Sequence, residues 1–110
     1  MKNFNIAVIA GDGIGKEVVP EGIRLLDAAG HRFGFRCNWR EFDWSCETYA
    51  RTGKMMPDGG LLQLRPFDAI FLGAVGYPGV PDHISLWGLL IPIRRSFRQY
   101  VNLRPVRLFE

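Results

Sequence analysis

Five arginines, Arg94, Arg95, Arg98, Arg104 and Arg107, fall within fourteen residues of this 110-residue chain. They lie in a stretch from Ser85 to Phe109 that contains no Asp or Glu. Leu86, Trp87, Leu89, Leu90, Ile91, Ile93 and Phe97 interleave with them. The guanidinium is planar, permanently charged and easier to desolvate than an ammonium, so arginines on an apolar scaffold suit fixed, bidentate recognition of carboxylate or phosphate. A solvated charge run would mix signs, and a nucleic-acid arm would carry less aliphatic bulk. The plain alternative is a surface helix followed by an ordinary strand, with the arginines serving only solubility.

Two further stretches could meet a ligand. Gly11-Asp12-Gly13-Ile14-Gly15 and Gly73-Ala74-Val75-Gly76 each follow an apolar run, and glycine allows close backbone approach. The first resembles a dinucleotide fingerprint but fails it. G-x-G-x-x-G requires glycine at position 16, which is Lys16, and no acidic residue ends a second strand about 20 residues on. A sharp strand-to-helix turn is the better reading. Asp12 reads as an Asx-type cap of its own turn, with base or metal ligand as the alternatives. His31 and His83 have no obvious partners, and Met55 and Met56 read as core filler. No Ser–His–Asp or Cys–His set assembles. The chain thus shows groups for binding and no catalytic set.

These groups need elements to hold them. Asn5 to Ala10 (NIAVIA) is a continuous apolar run, as for a strand buried on both faces of a parallel sheet. A helix follows, with Val18, Val19, Gly22, Ile23, Leu26, Ala29 and Phe33 along one side; Pro20 places its start near Val19. Phe35 to Phe42 alternates as a half-exposed strand. Short helices are expected over Cys46 to Thr52, closed by Gly53, and over Leu61 to Leu64. Phe67 to Leu72 (FDAIFL) is a second buried strand. A Gly- and Pro-rich loop leads to the arginine helix, where Pro92 has no evident reason. Tyr100 to Leu108 reads as a last strand, with Pro105 favouring an edge or a bulge. Strands alternating with helices imply an α/β layered sheet with parallel pairs. Both glycine stretches then sit at carboxyl ends of strands, where open α/β sheets bind ligands.

Composition sets bounds. The chain is long enough for one domain at most, and 47% hydrophobic with 23% charged residues should fold. The net charge of +3 resides mostly in the arginine stretch, which fits a local basic site better than a globally basic surface. Cys37 and Cys46 lack CxxC spacing and read as free thiols of a reducing compartment. With no signal-peptide pattern and no run of about 18 apolar residues, a cytoplasmic protein without a membrane partner is expected. The ending RPVRLFE, an apolar strand-like run without a polar tail, suggests a piece of a longer chain.

GDGIGKEVVPEG (Gly11 to Gly22), GAVGYP (Gly73 to Pro78) and the R-x9-R-P of Arg94 to Pro105, with NLRPV at its end, together resemble the β-decarboxylating dehydrogenases. These comprise the isopropylmalate, isocitrate and tartrate/D-malate enzymes. The resemblance runs over the whole chain in the family's order and spacing. KMMPD and VPDHISLWG look most like the tartrate/D-malate branch. It implies the amino-terminal part of the isopropylmalate dehydrogenase-like fold, an α/β layered sheet that is not Rossmann, with residues 1–110 a partial domain truncated at its carboxyl end.

The resemblance further implies NAD-dependent oxidation of a 2-hydroxy acid, then loss of its β-carboxylate as carbon dioxide. Mn²⁺ or Mg²⁺ would act as Lewis acid. Arg94 and Arg104 match the arginines that clamp substrate carboxylate. Ile14 matches the position beside the nicotinamide, and Gly73, Ala74, Val75 and Gly76 match the loop bordering the cofactor. Counting back from Arg94, Gly88 stands where isocitrate enzymes carry a hydroxyl residue and Trp87 where isopropylmalate enzymes carry Glu. Both departures point to a four-carbon acid, D-malate or tartrate, with Leu90 a further pocket wall. The family's catalytic Tyr and Lys, its metal-binding Asp residues and its adenosine loop match positions beyond residue 110, so this chain alone should be inactive. The family pattern is a homodimer acting on small 2-hydroxy dicarboxylates, without nucleic acid. It leaves open D-malate against tartrate, NAD against NADP, and a monovalent-cation requirement. The competing readings are a basic α/β module for a phosphorylated or nucleic-acid ligand, and an inactive truncated product.

Overall fold

β1, Lys2–Gly11, is the middle strand of a three-stranded sheet, in a computed structural model that describes residues 1–110. Its apolar run is what a central strand requires: Ala7, Val8 and Ile9 are all but completely buried. β2, Phe35–Glu41, lies on one side and β3, Ala69–Ala74, on the other, both parallel to β1. In register, Ile6 pairs with Trp39 and Ala69, Val8 with Phe71, and Gly11 with Ala74. The expected parallel α/β sheet is therefore present, with β1 and β3 reaching one and two residues further into their glycines than the apolar runs suggested; β3, however, starts only at Ala69 and, as an edge strand, is exposed or half-buried instead of buried.

Alternation along β1 sends side chains to two layers. Ile6 and Val8 face the side covered by α1, Gly15–Phe33. There Phe71 lies under Gly22, its ring 6.1 Å from that of Trp39, and Trp39 Nε1 donates to Asp27 Oδ1 at 2.9 Å. Ala7 and Ile9 face the other side and join Phe42, Trp44, Cys46, Met55, Leu64, Leu89 and Ile93 in the main core. That layer is built by α2, Cys46–Thr52, by α3, Gly60–Leu64, and by the arginine helix.

The arginine helix starts at Asp82, so His83 is in its first turn. α4, Asp82–Ser85, runs into a wide π turn over Leu86–Leu90, then into α5, Ile91–Ser96. The Ile91 amide reaches back five residues to the Leu86 carbonyl. This accounts for Pro92, the second residue of α5. In a regular helix its ring would press on the carbonyl four residues back; a turn already widened relieves that clash. Leu89 and Ile93, four apart and buried, fix the helix to the core and leave Trp87 and Arg94 outside.

Three further expectations are corrected. α1 begins at Gly15 and continues through Pro20. Only the Lys16 carbonyl loses a partner, and Lys16 lies on the solvent side, where water can satisfy it. On the same helix, Val18, Leu26 and Phe33 are exposed, so the buried stripe is narrower than their spacing suggested. Residues 100–110 form no strand: all are exposed, and none makes a backbone hydrogen bond. α5 ends in a Schellman-type turn, Gln99 N–H to the Arg94 carbonyl and Arg98 N–H to the Arg95 carbonyl, with Arg98 left-handed at φ +52°. Asn102 and Leu103 border a cavity with Ala69 to Leu72 of β3 but do not pair with that strand, and Pro105 has no N–H to offer a ladder.

Candidate functional site

The carboxyl edge of the sheet is assembled from three segments distant in sequence. β1 ends in the turn Gly11–Gly15, β3 ends beside it in Gly73–Gly76, and the amino end of α2 abuts both. Gly11 has φ +81°, and a Cβ there would fall inside the Ala74 carbonyl, so only glycine brings the two strand ends this close. The Asp12 amide then donates to the Ala74 carbonyl at 2.6 Å.

Asp12 does not cap its own turn. The residue is 2% exposed, and its carboxylate accepts the amides of Cys46 at 2.8 Å, Glu47 at 3.0 Å and Gly76 at 3.2 Å. Ser45, the N-cap of α2, takes the Thr48 amide with its Oγ, so the first three donors of that helix are all satisfied. Burial pushes the Asp12 carboxyl up, but the three amides outweigh it and hold it below the usual carboxylate range. Burial and the adjacent carboxylate push the Cys46 thiol up to about 11. An ion pair of Lys16 with Glu47 ties α1 to α2 just above. No local pattern in the sequence links Asp12 to residues 34 positions later, and this role was not legible there.

Ile14 follows on this turn with 65% of its surface exposed, while Gly13 and Gly76 face open space. An exposed aliphatic side chain beside open glycine backbone leaves this edge accessible to a ligand. Gly73 and Ala74 are instead committed to packing: a Cβ on Gly73 would meet the Ala10 carbonyl and Val19. For a divalent metal the chain offers no cluster of three His, Cys, Asp or Glu side chains. Both Asp12 oxygens are taken by amides, and no residue here is assigned to a metal.

Of the residues read as setting the substrate pocket, Trp87, Gly88, Leu90 and Arg94 lie on the arginine helix. Trp87 is 59% exposed and borders a groove of about 500 Å³ with Tyr49, Lys54, Met55, Met56 and His83. Gly88 lines the same groove, directly against Met55. Leu90 is half-buried. Arg94 is exposed on a shallow surface with Arg95, Arg98, Gln99 and Tyr100. Arg104 lies in the exposed segment 100–110, and no cavity is lined by both it and Arg94. The four ion pairs are Lys16–Glu47, Arg24–Glu21, Arg51–Asp43 and Lys54–Asp58, so none of the five clustered arginines has a carboxylate partner.

Comparison with known proteins converges on one family. The description "Isocitrate/isopropylmalate dehydrogenase" matches residues 5–110. The chain is 63% identical, over 99% of its length, to D-malate dehydrogenase (decarboxylating) of Escherichia coli strain K12, covering 31% of that protein. It is 58% identical, over 97% of its length, to a tartrate dehydrogenase/decarboxylase of Pseudomonas putida, covering 30% of it. Among solved structures it is similar to the apo form of a β-decarboxylating dehydrogenase from Thermococcus kodakarensis. The TM-score there is 0.63 at 28% identity, covering 88% of this chain and 27% of that one. The chain thus spans about a third of the length of the curated relatives it matches.

Proposed function

The chain belongs to the isocitrate/isopropylmalate dehydrogenase family, and from that premise we propose that it contributes the nucleotide edge and part of the substrate pocket of a decarboxylating oxidoreductase. The substrate is a four-carbon 2-hydroxy acid, D-malate or tartrate, and NAD and a divalent metal are the cofactors. Residues 1–110 act as part of a larger domain in a cytoplasmic homodimer.

The observation that carries this reading is the absence of any carboxylate partner for the five arginines that follow Trp87 along the chain. Permanently charged guanidiniums on a helix anchored by Leu89 and Ile93 can each make a bidentate, charge-assisted contact with a substrate carboxylate. Arg94, with Arg104 brought in from its exposed segment, orients the acid so that its hydroxyl carbon faces the Gly11–Gly15 edge. Trp87 shortens the pocket and Leu90 walls it, favouring four carbons over a branched chain. Gly88 presents no hydroxyl for a third carboxylate. Ile14, Gly13 and Gly76 provide the surface against which the nicotinamide rests, with the Gly73–Gly76 loop behind it. Bound there, NAD would supply a hydride acceptor for the hydroxyl carbon; this chain's part would be to hold both partners and keep water away from them.

The test is NADH absorbance with the full-length protein, Mn²⁺ and D-malate, L-tartrate, isopropylmalate or isocitrate in turn. Reduction of NAD with D-malate or tartrate is expected. Turnover of isopropylmalate alone would mean that Trp87 does not set the pocket.

A further inference from the structure

Asp12 is the only charged side chain buried in the molecule, and no cation pairs with it. Desolvating a carboxylate without such a partner is costly unless hydrogen bonds replace its hydration. Here three amides do so, two from α2 and one from Gly76. The arrangement holds more than a helix end, because Ser45 already caps α2 with its own side chain. Of the five residues Gly11 to Gly15, three are glycines and Ile14 points outward, so Asp12 is the turn's single side-chain anchor to the rest of the fold. A glycine-rich turn without an anchor samples many conformations. Ordering it on ligand binding would then weaken the affinity.

We propose that Asp12 is a positioning residue, clamping the Gly11–Gly15 turn, the Gly73–Gly76 loop and α2 into one preformed wall, so that Ile14 and the backbones of Gly13 and Gly76 are already in place for the nicotinamide. This rests on the reading of that edge as the nucleotide site. Asp12 touches neither substrate nor cofactor; it acts through the Gly76 amide and the turn it belongs to.

Full-length wild-type, Asp12→Asn and Ser45→Ala proteins separate this role from simple helix capping, since Ser45→Ala damages the same helix end without freeing the turn. Asp12→Asn is expected to weaken NADH binding, read by fluorescence titration without turnover, at least tenfold. It should also raise KM for NAD with kcat changed less than threefold, and speed hydrogen exchange at the Cys46, Glu47 and Gly76 amides. Ser45→Ala is expected to lower the melting temperature yet leave NADH binding within twofold. If Asp12→Asn only lowers the melting temperature, with NADH binding within twofold, Asp12 is a cap and the proposal falls. If Asp12→Asn does not fold, Asp12→Glu, which keeps the charge on a longer arm, is judged by the same binding criterion. A wild-type protein that binds no NADH overturns the nucleotide reading itself, and that failure is visible before any variant is made.

Discussion

A Cβ at position 88 would stand 2.7 Å from Cγ of Met55, which is itself buried at 2% exposure. Glycine is therefore required where the π turn crosses the segment after α2. The same contact withholds the position from any hydroxyl residue. Gly88→Ser should destabilise the protein by about 1–3 kcal/mol through overpacking. In urea unfolding, Met55→Ala combined with Gly88→Ser should cost less than the sum of the two single changes, because the shorter side chain makes room. Strict additivity would mean that Met55 simply swings aside.

Trp87 should govern substrate size without supporting the fold, since more than half of its surface is exposed. Trp87→Ala should leave stability within about 0.5 kcal/mol. It should also shift the ratio of kcat/KM for isopropylmalate over D-malate upward by at least about tenfold, the scale of one or two methylenes in a pocket. An unchanged ratio would remove Trp87 from the specificity set.

The arginines should behave in the opposite way to core residues. Arg94→Ala and Arg104→Ala each remove a charge-assisted contact, expected to cost about 2–4 kcal/mol of transition-state binding. Neither has a partner in this structure, so unfolding midpoints should barely move. A fall in kcat/KM of less than tenfold would show that these arginines do not hold substrate.

Two buried groups set opposite limits of pH stability. The Asp12 carboxyl is held below its ordinary 3.8, so the stability it contributes is present above 3.8 and is lost as pH falls through the lower folded value. Cys46 is raised from 9.0 to about 11; its contribution is present below 9.0 and is lost as pH rises from 9.0 to about 11. Melting temperature against pH should therefore fall at both ends. Asp12→Asn should flatten the acid limb and Cys46→Ala the alkaline one. A thiol with so high a pKa should also resist iodoacetamide at neutral pH in the native state.

Residue order revealed much of the frame and little of the joinery. The run NIAVIA announced a central strand because a strand buried on both sides has no polar alternate positions. The glycines after Ala10 and Leu72 marked the edge where ligands are expected, and β1 and β3 are neighbours with those ends together. What stayed hidden depends on contacts between distant segments. Asp12 reads as a local turn residue until α2 is folded against it. Met55 reads as filler until Gly88 lies on it. The segment Tyr100 to Leu108 carries strand-like residues, but β propensity expresses itself only when a neighbouring strand is paired alongside.

The wide turn at Leu86–Leu90 bears on how this helix is compared with those of relatives. A turn closed over five residues holds one residue more than a regular turn, so everything after it is rotated by about 100° relative to everything before it. Trp87 and Gly88 precede the end of that turn and Arg94 follows it. Matching this helix to one without the bulge therefore calls for a one-residue gap between Gly88 and Pro92. The count that sets Trp87 and Gly88 against the family's specificity positions is made without a gap, so it applies to relatives whose helix carries the same wide turn before the first arginine.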